Sequence, residues 1–207
     1  MVKVSIDKEL EKSSPLEIRI IDNSCGSGHF LVEALNYLTT KVLEGIDNYT
    51  DIQELILIEK EKIKSNLEGF SSEIEIDEFS IIKRLILKNT IYGIDFNQFA
   101  VELTKLSLWI DSFIFGTPLS FIEHHIKHGN SLVGTTIEAF KNYWDREGQI
   151  GFHNDFLDRF EYLKKAFALL DNLKDTTSKE IESSKKMYKV EIEPKLKELN
   201  KVLNLLT

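Results

Sequence analysis

Cysteine is almost absent from this 207-residue chain: Cys25 stands alone, so an internal disulfide is excluded. Proline is nearly as scarce, and Pro15, Pro118 and Pro194 never stand side by side. Positive charge is also short. Lys and Arg number 26 against 34 Asp and Glu, a formal net charge of −8. Affinity for a polyanion rests largely on counterion release by Lys and Arg, so the chain itself is expected to bind nucleic acid weakly or not at all. No apolar run approaches the roughly 20 residues of a membrane span. No secretory or transit pattern is visible either, so the cytoplasm is the expected location. The length suits one domain and an appendage.

What is present begins at the apolar run Glu17–Asp22, which reads as a short strand. It ends in the turn Asn23-Ser24-Cys25-Gly26-Ser27-Gly28, and Leu31, Leu35, Leu38 and Val42 then recur at helical spacing. Gly26 and Gly28 carry no Cβ, so backbone can approach a ligand closely and take positive φ. The helix start offers unpaired N–H groups to a negative or polar group. No Gly-Lys-Ser/Thr follows, which excludes a P-loop, and the glycines stop too early for Gly-x-Gly-x-x-Gly. A tight strand-to-helix turn without a ligand remains the bland alternative.

A second segment repeats the grammar. Thr90–Ile94 is β-branched and aromatic, and Asp95 closes it. In nucleotide-binding α/β domains an acid at the end of the second strand accepts hydrogen bonds from ribose hydroxyls, usually about 20 residues after the loop. Here it comes far later, so residues 45–88 read as a helical insertion. Its apolar positions are Ile52, Ile56, Ile63, Leu67, Ile82, Leu85 and Ile86, with Gly69-Phe70-Ser71-Ser72 as a break. Asp95 is also a candidate helix N-cap, a compatible role.

Asp22-Asn23-Ser24-Cys25-Gly26-Ser27-Gly28-His29-Phe30-Leu31 resembles the first motif of class I S-adenosylmethionine-dependent methyltransferases, in the form used by DNA adenine-N6 enzymes. Tyr92-Gly93-Ile94-Asp95-Phe96-Asn97 resembles their second motif. Pro118 to Gly134, ending His128-Gly129-Asn130-Ser131-Leu132-Val133-Gly134, resembles the third, in the form typical of large bacterial restriction-modification and phage-defence enzymes. The resemblance implies a Rossmann-like α/β domain with an incomplete parallel sheet over residues 1–138, followed by a helical extension over 139–207. It implies S-adenosylmethionine as cofactor. Asp22 and the backbone of Ser24, Cys25, Gly26 and Gly28 would hold its methionine end. Asp95 would take the ribose, Phe96 would pack on the adenine, and Asn130 would reach the adenine amino group. Asn130 stands where many relatives carry Asp, keeping an acceptor oxygen without the charge. Asn23 replaces the usual proline.

One family element is missing. The catalytic signature Asn/Asp-Pro-Pro-aromatic, which orients the target amino group of a flipped base, needs adjacent prolines that this chain lacks. No catalytic residue is therefore assigned. The chain is expected to be the cofactor half of a longer adenine-N6 methyltransferase that meets DNA through its other parts. The same motifs also fit enzymes acting on cytosine N4, RNA or protein glutamine. A different class is a non-catalytic cofactor-sensing or helical assembly module.

His124, His125 and His128 form the one cluster with metal-ligand spacing, but no carboxylate or cysteine pattern completes a site, and zinc usually takes at least three protein ligands. The segment fits a short strand better than a helix. Cys25 has no motif-defined base partner and lies inside the cofactor loop, so a nucleophilic role is not expected of it. Phe99, Leu103, Leu106, Ile110 and Phe113 step by four and three and predict a helix whose apolar stripe covers the sheet, ending at Gly116-Thr117-Pro118. Trp109 lies off that stripe and is expected to be partly buried. Residues 135–151 read as a linker containing Trp144. Beyond them Phe156, Phe160, Leu163, Phe167 and Leu170 predict one helix. After the polar break Lys174-Asp175-Thr176-Thr177-Ser178, the apolar positions from Ile181 to Leu206 predict another, kinked or restarted at Pro194. The two are expected to form an antiparallel hairpin, to pack on the α/β domain or to self-associate, since neither stripe persists exposed.

Overall fold

The computed structural model describes residues 2–67, 76–134, 136, 138, 139, 142, 150–171, 173 and 175–203. It divides into two compact units, Met1–Asn130 with Lys174–Ile181, and Ser131–Leu173 with Glu182–Thr207.

The first unit is α/β. Helix α1 (Val2–Leu10) precedes β1 (Ile20–Asp22), α2 (His29–Glu44) follows the glycine loop, and α3 (Thr50–Asn66) and α4 (Glu78–Thr90) form the insertion. Then come β2 (Ile91–Asp95), α5 (Gln98–Asp111) and β3 (Ile126–His128). The three strands lie parallel in the order β1-β2-β3, with Ile20 opposite Ile91 and Asp95 opposite His128. Leu31, Leu35 and Leu38 of α2, Ile82 and Ile86 of α4, and Leu108 of α5 are fully buried in one apolar core. The predicted break at 69–72 lies outside the described residues. Thr90 belongs to α4 rather than to the strand, because its hydroxyl donates back to the Ile86 carbonyl at 2.8 Å. Asp77 caps α4 by accepting from the Phe79 N–H at 3.2 Å.

The predicted stripe of α5 faces the wrong way. Phe99 and Ile110 are 74 % and 69 % exposed, and Leu103, Leu106 and Phe113 are exposed as well. The buried face is Val101, Thr104, Lys105 and Leu108. Helical periodicity finds a stripe, and on a helix with apolar residues on more than one face it cannot tell which side is inward. Here the glycine loop requires a small side chain on the inner face, and Thr104 supplies it. Ile110→Lys should accordingly change the unfolding free energy of the chain by less than about 0.5 kcal/mol, whereas Leu108→Ala should cost about 2–5 kcal/mol. Urea titration of both variants checks this, and a large loss in Ile110→Lys would return the stripe to the core. The helix also stops earlier than expected, at Asp111, where the Ser112 hydroxyl donates to the Leu108 carbonyl at 2.7 Å. Trp109 is half-buried, and its indole N–H donates to the Ser120 carbonyl at 2.8 Å.

Two residues of the segment expected as a polar break are buried in the first unit. Thr176 is fully buried and Asp175 nearly so. Arg84 of α4 donates to the Asp175 carbonyl at 2.7 Å and to the Thr117 hydroxyl at 3.0 Å, and pairs with the Asp175 carboxylate at 3.5 Å. Asn66 donates to the Thr176 carbonyl, and the Thr176 hydroxyl donates to Glu59. Helix α7 (Ser178–Met187) opens on a capping box: the Thr177 hydroxyl accepts from the Glu180 N–H while the Glu180 carboxylate accepts from the Thr177 N–H. Burial pushes the Glu180 carboxyl up. The hydrogen bond from Lys62 at 3.1 Å and those from Thr177 outweigh it, and the group sits below the ordinary Glu range.

In the second unit α6 (Ile150–Asp171) buries Phe156, Leu163, Ala166 and Leu170. A π turn at Tyr188–Ile192 runs without a break into α8 (Glu193–Leu203), so Pro194 lies within continuous helical backbone, directly after the π turn that marks the expected irregularity. Phe167 approaches Tyr188, Tyr162 donates to Glu191, and Arg159 pairs with Glu198. Partner numbers that rise as the first falls define an antiparallel pair, the expected hairpin. Trp144 and Leu206 lie outside the described residues. No described helix is long and apolar enough to cross a membrane.

Candidate functional site

The site forms at the carboxyl ends of β1 and β2, where an open parallel sheet leaves a crevice. Gly26 and Gly28 adopt φ of +55° and +84°, the left-handed region that side chains rarely enter. Gly28 caps α2, and no side chain fills that cap, so the first-turn N–H groups face outward. The loop is tied to its neighbours at every step. The Cys25 N–H donates to the Ile94 carbonyl at 3.0 Å, the Gly26 N–H to the Asp95 carboxylate at 2.8 Å, and the Gly28 N–H to the Cys25 carbonyl at 2.8 Å. From α5, the Thr104 hydroxyl donates to the Gly26 carbonyl at 2.9 Å and the Ser107 hydroxyl to the Ser27 carbonyl at 3.0 Å.

Asp95 is the hub. Its second carboxylate oxygen accepts from the Asn97 N–H at 2.8 Å, and its main-chain carbonyl accepts from the Gly129 N–H at 2.9 Å. Those N–H bonds, Asn97 first and Gly26 second, hold its carboxyl below the usual Asp range against the opposing effect of burial. The helix cap is not Asp95 but Asn97, whose side chain accepts from the Phe99 N–H at 2.9 Å. A carboxylate has about four acceptor positions, and the protein fills two of those on Asp95, leaving room for hydroxyl donors. The Phe96 ring beside it is 75 % exposed. Asn130 follows Gly129 directly and is exposed at the end of β3. Asp22 keeps its side chain local, accepting from the Ser24 N–H at 3.0 Å.

Two histidines act as backbone clamps on β2. The His125 ring, buried and stacked on Tyr92, donates from Nδ1 to the Ile91 carbonyl at 2.9 Å. His128 donates from Nε2 to the Phe96 carbonyl at 2.9 Å. A carbonyl only accepts, which fixes the proton on each of those nitrogens. Cys25 is buried with Sγ 3.5 Å from the Thr104 hydroxyl, and burial pushes its thiol above the ordinary value. Its side chain belongs to the core, and its backbone belongs to the loop.

A nucleoside carrying an amino-acid tail suits this arrangement. A Cβ placed on Gly26 would meet no heavy atom within 4 Å, so the loop borders open space. Asp95 offers spare acceptors to vicinal hydroxyls, Phe96 offers a ring face, and the α2 N-terminus offers donors to a carboxylate.

Residues 7–128 match the family described as MmeI, DNA-methyltransferase domain. That stretch is more than half of the chain and contains the loop, Asp95 and Phe96. The chain belongs to this family. A Methanocaldococcus jannaschii protein bearing the name of a type II restriction enzyme and methyltransferase is 33% identical over 134 residues. The match takes in 60% of this chain and 9% of that protein, so the chain spans about a tenth of the length of the curated relative it matches. No solved structure matches the chain.

Thr104, Ser107 and His128, which fasten the loop and the segment after β2, are not singled out by sequence patterns. Hydroxyls at Thr104 and Ser107, three positions apart on one side of α5, are the available signal.

Proposed function

We propose that this methyltransferase domain is the S-adenosylmethionine-binding part of a DNA methyltransferase acting on adenine N6 within a restriction-modification or phage-defence system. The observation that carries it is the glycine loop fastened to the strand-ending acid Asp95, with Phe96 exposed beside it. The name of the M. jannaschii relative supports the restriction-modification setting. The small parallel sheet with its covering helices is compatible with a Rossmann-like domain, and the cytoplasm suits its substrate. In this reading Asp95 binds the ribose hydroxyls, Phe96 packs on adenine, and Asn130 meets the adenine amino group. Asp22 and the backbone of Ser24, Cys25, Gly26 and Gly28 shape the seat of the methionine end. The bound cofactor supplies an electron-poor methyl group, and the domain's contribution is to fix its position, since alignment of reactants can account for much of such a barrier. Asp95, held ionised well below neutral pH, keeps the ribose clasp through the physiological range.

The chain contains no Asn-Pro-Pro-aromatic segment. The group that orients the acceptor nitrogen, and the surface that meets DNA, are therefore assigned to other parts of a longer polypeptide. The purified 207-residue chain is expected to transfer no methyl group to mixed-sequence DNA from radiolabelled cofactor, while binding that cofactor in calorimetry. Turnover by a pure preparation would place catalytic residues inside this chain.

A further inference from the structure

A threonine inside a helix ordinarily turns its hydroxyl back to the carbonyl one turn earlier. Thr39 and Thr90 do so, donating to Leu35 and Ile86 at 2.7 and 2.8 Å. Ser112 does the same to Leu108. Thr104 does not. Fully buried in α5, it donates to the Gly26 carbonyl at 2.9 Å, across 78 positions of sequence. The approach is close: a Cβ on Gly28 would lie 3.1 Å from its Cγ2 and 3.2 Å from its Cα.

That bond fixes more than one oxygen. In a planar trans peptide the C=O and the following N–H point in opposite directions. Pinning the Gly26 carbonyl toward α5 therefore turns the Ser27 N–H away from α5. The Ser27 N–H has no partner among the described residues, whereas the Ser27 carbonyl is held by Ser107 at 3.0 Å. Gly26, at φ +55°, is the residue most able to let this peptide flip if released.

We propose that Thr104 is a positioning residue for the methyl donor, which orients the Gly26–Ser27 peptide so that the Ser27 N–H serves the carboxylate of the cofactor's amino-acid end. The inference rests on the S-adenosylmethionine reading above. Ribose and adenine are held elsewhere, by Asp95 and Phe96, so the effect of Thr104 is confined to one end of the ligand.

The test compares two probes by calorimetry on the full chain: S-adenosylhomocysteine, and 5′-methylthioadenosine, which lacks the amino-acid end. Thr104→Val should weaken the first about tenfold, the value of a charge-assisted hydrogen bond. It should leave the second within about twofold, inside the scatter of single-contact effects. Thr104→Ser, which keeps the hydroxyl, should restore the first, and Ser112→Ala should change neither. Equal weakening of both probes in Thr104→Val would make Thr104 a merely structural residue and overturn the proposal. In the ligand-free protein, ¹⁵N spectra of Thr104→Val should show the Gly26 and Ser27 amides displaced. Unmoved amides would overturn the proposal whether or not ligand binds. If the unaltered chain binds neither probe, the methyl-donor reading itself fails and the assignment of Thr104 to it falls too.

Discussion

Arg84→Ala is expected to cost about 3–5 kcal/mol of unfolding free energy, the usual penalty for stranding one partner of a buried ion pair. Few single changes in this chain should cost more. Arg84 is buried, and its guanidinium holds Asp175 through both carboxylate and carbonyl while also bonding Thr117. Removing it leaves the Asp175 carboxylate desolvated and without its cation. It also loosens a segment that Glu59, Asn66 and Glu180 anchor from other sides. Domains are stable by only about 5–15 kcal/mol, so a large part of the margin is at stake. Asp175→Ala should be similarly costly, and the double variant should cost clearly less than the two together, because each single change strands the same pair. Urea unfolding of the three proteins measures this. A loss under about 1 kcal/mol in Arg84→Ala would mean that the network is solvated and carries little.

The second large effect falls on ligand binding. Gly26→Val puts a branched side chain at a left-handed φ, a strain of about 1–3 kcal/mol, and directs it into the open space beside the loop. Asp95→Ala removes the acceptor of the Gly26 and Asn97 N–H groups together with the proposed ribose clasp. Each variant should weaken S-adenosylmethionine binding by at least about tenfold, or 1.4 kcal/mol, in calorimetry on samples shown to be folded by circular dichroism. Binding that survives both replacements would place the cofactor elsewhere.

The local features of the site could be read from order and spacing. A strand, a glycine turn and a helix at 17–42, then a strand closed by Asp95, are short-range patterns. The strands are shorter than the runs, Ile20–Asp22 instead of Glu17–Asp22 and Ile91–Asp95 without Thr90. The turn and helix form because backbone freedom at Gly26 and Gly28 and apolar spacing in α2 are intrinsic to those residues. The insertion was legible too, since residues 45–88 place apolar side chains at helical intervals where a direct crossover would need none. The hairpin pairing in the second unit followed from two stripes that must be buried to persist.

What periodicity could not supply was direction and partnership. Periodicity finds a stripe on α5 but not its direction, because Val101 and Leu108 give the helix a second apolar side and packing beside the glycine loop selects it. The run from Lys174 to Ser178 is polar and reads as a break. Its residues Asp175 and Thr176 are nonetheless buried, since Arg84, Asn66 and Glu59 offer them partners from distant positions that no local pattern reveals. Its capping box, Thr177-Ser178-Lys179-Glu180, was visible in the sequence and marks the helix start but not the burial. That Asp95 stands at a strand end is legible in the sequence. That it also locks the loop, the start of α5 and the end of β3 together depends on three chain segments meeting in space. The sequence by itself determined where the glycine turn and the strand-ending acid lie, because turn freedom and strand ends are local. The tertiary structure alone decided which side chains hold that loop in shape, because a hydrogen bond such as that from Thr104 to Gly26 exists only once α5 packs against the loop.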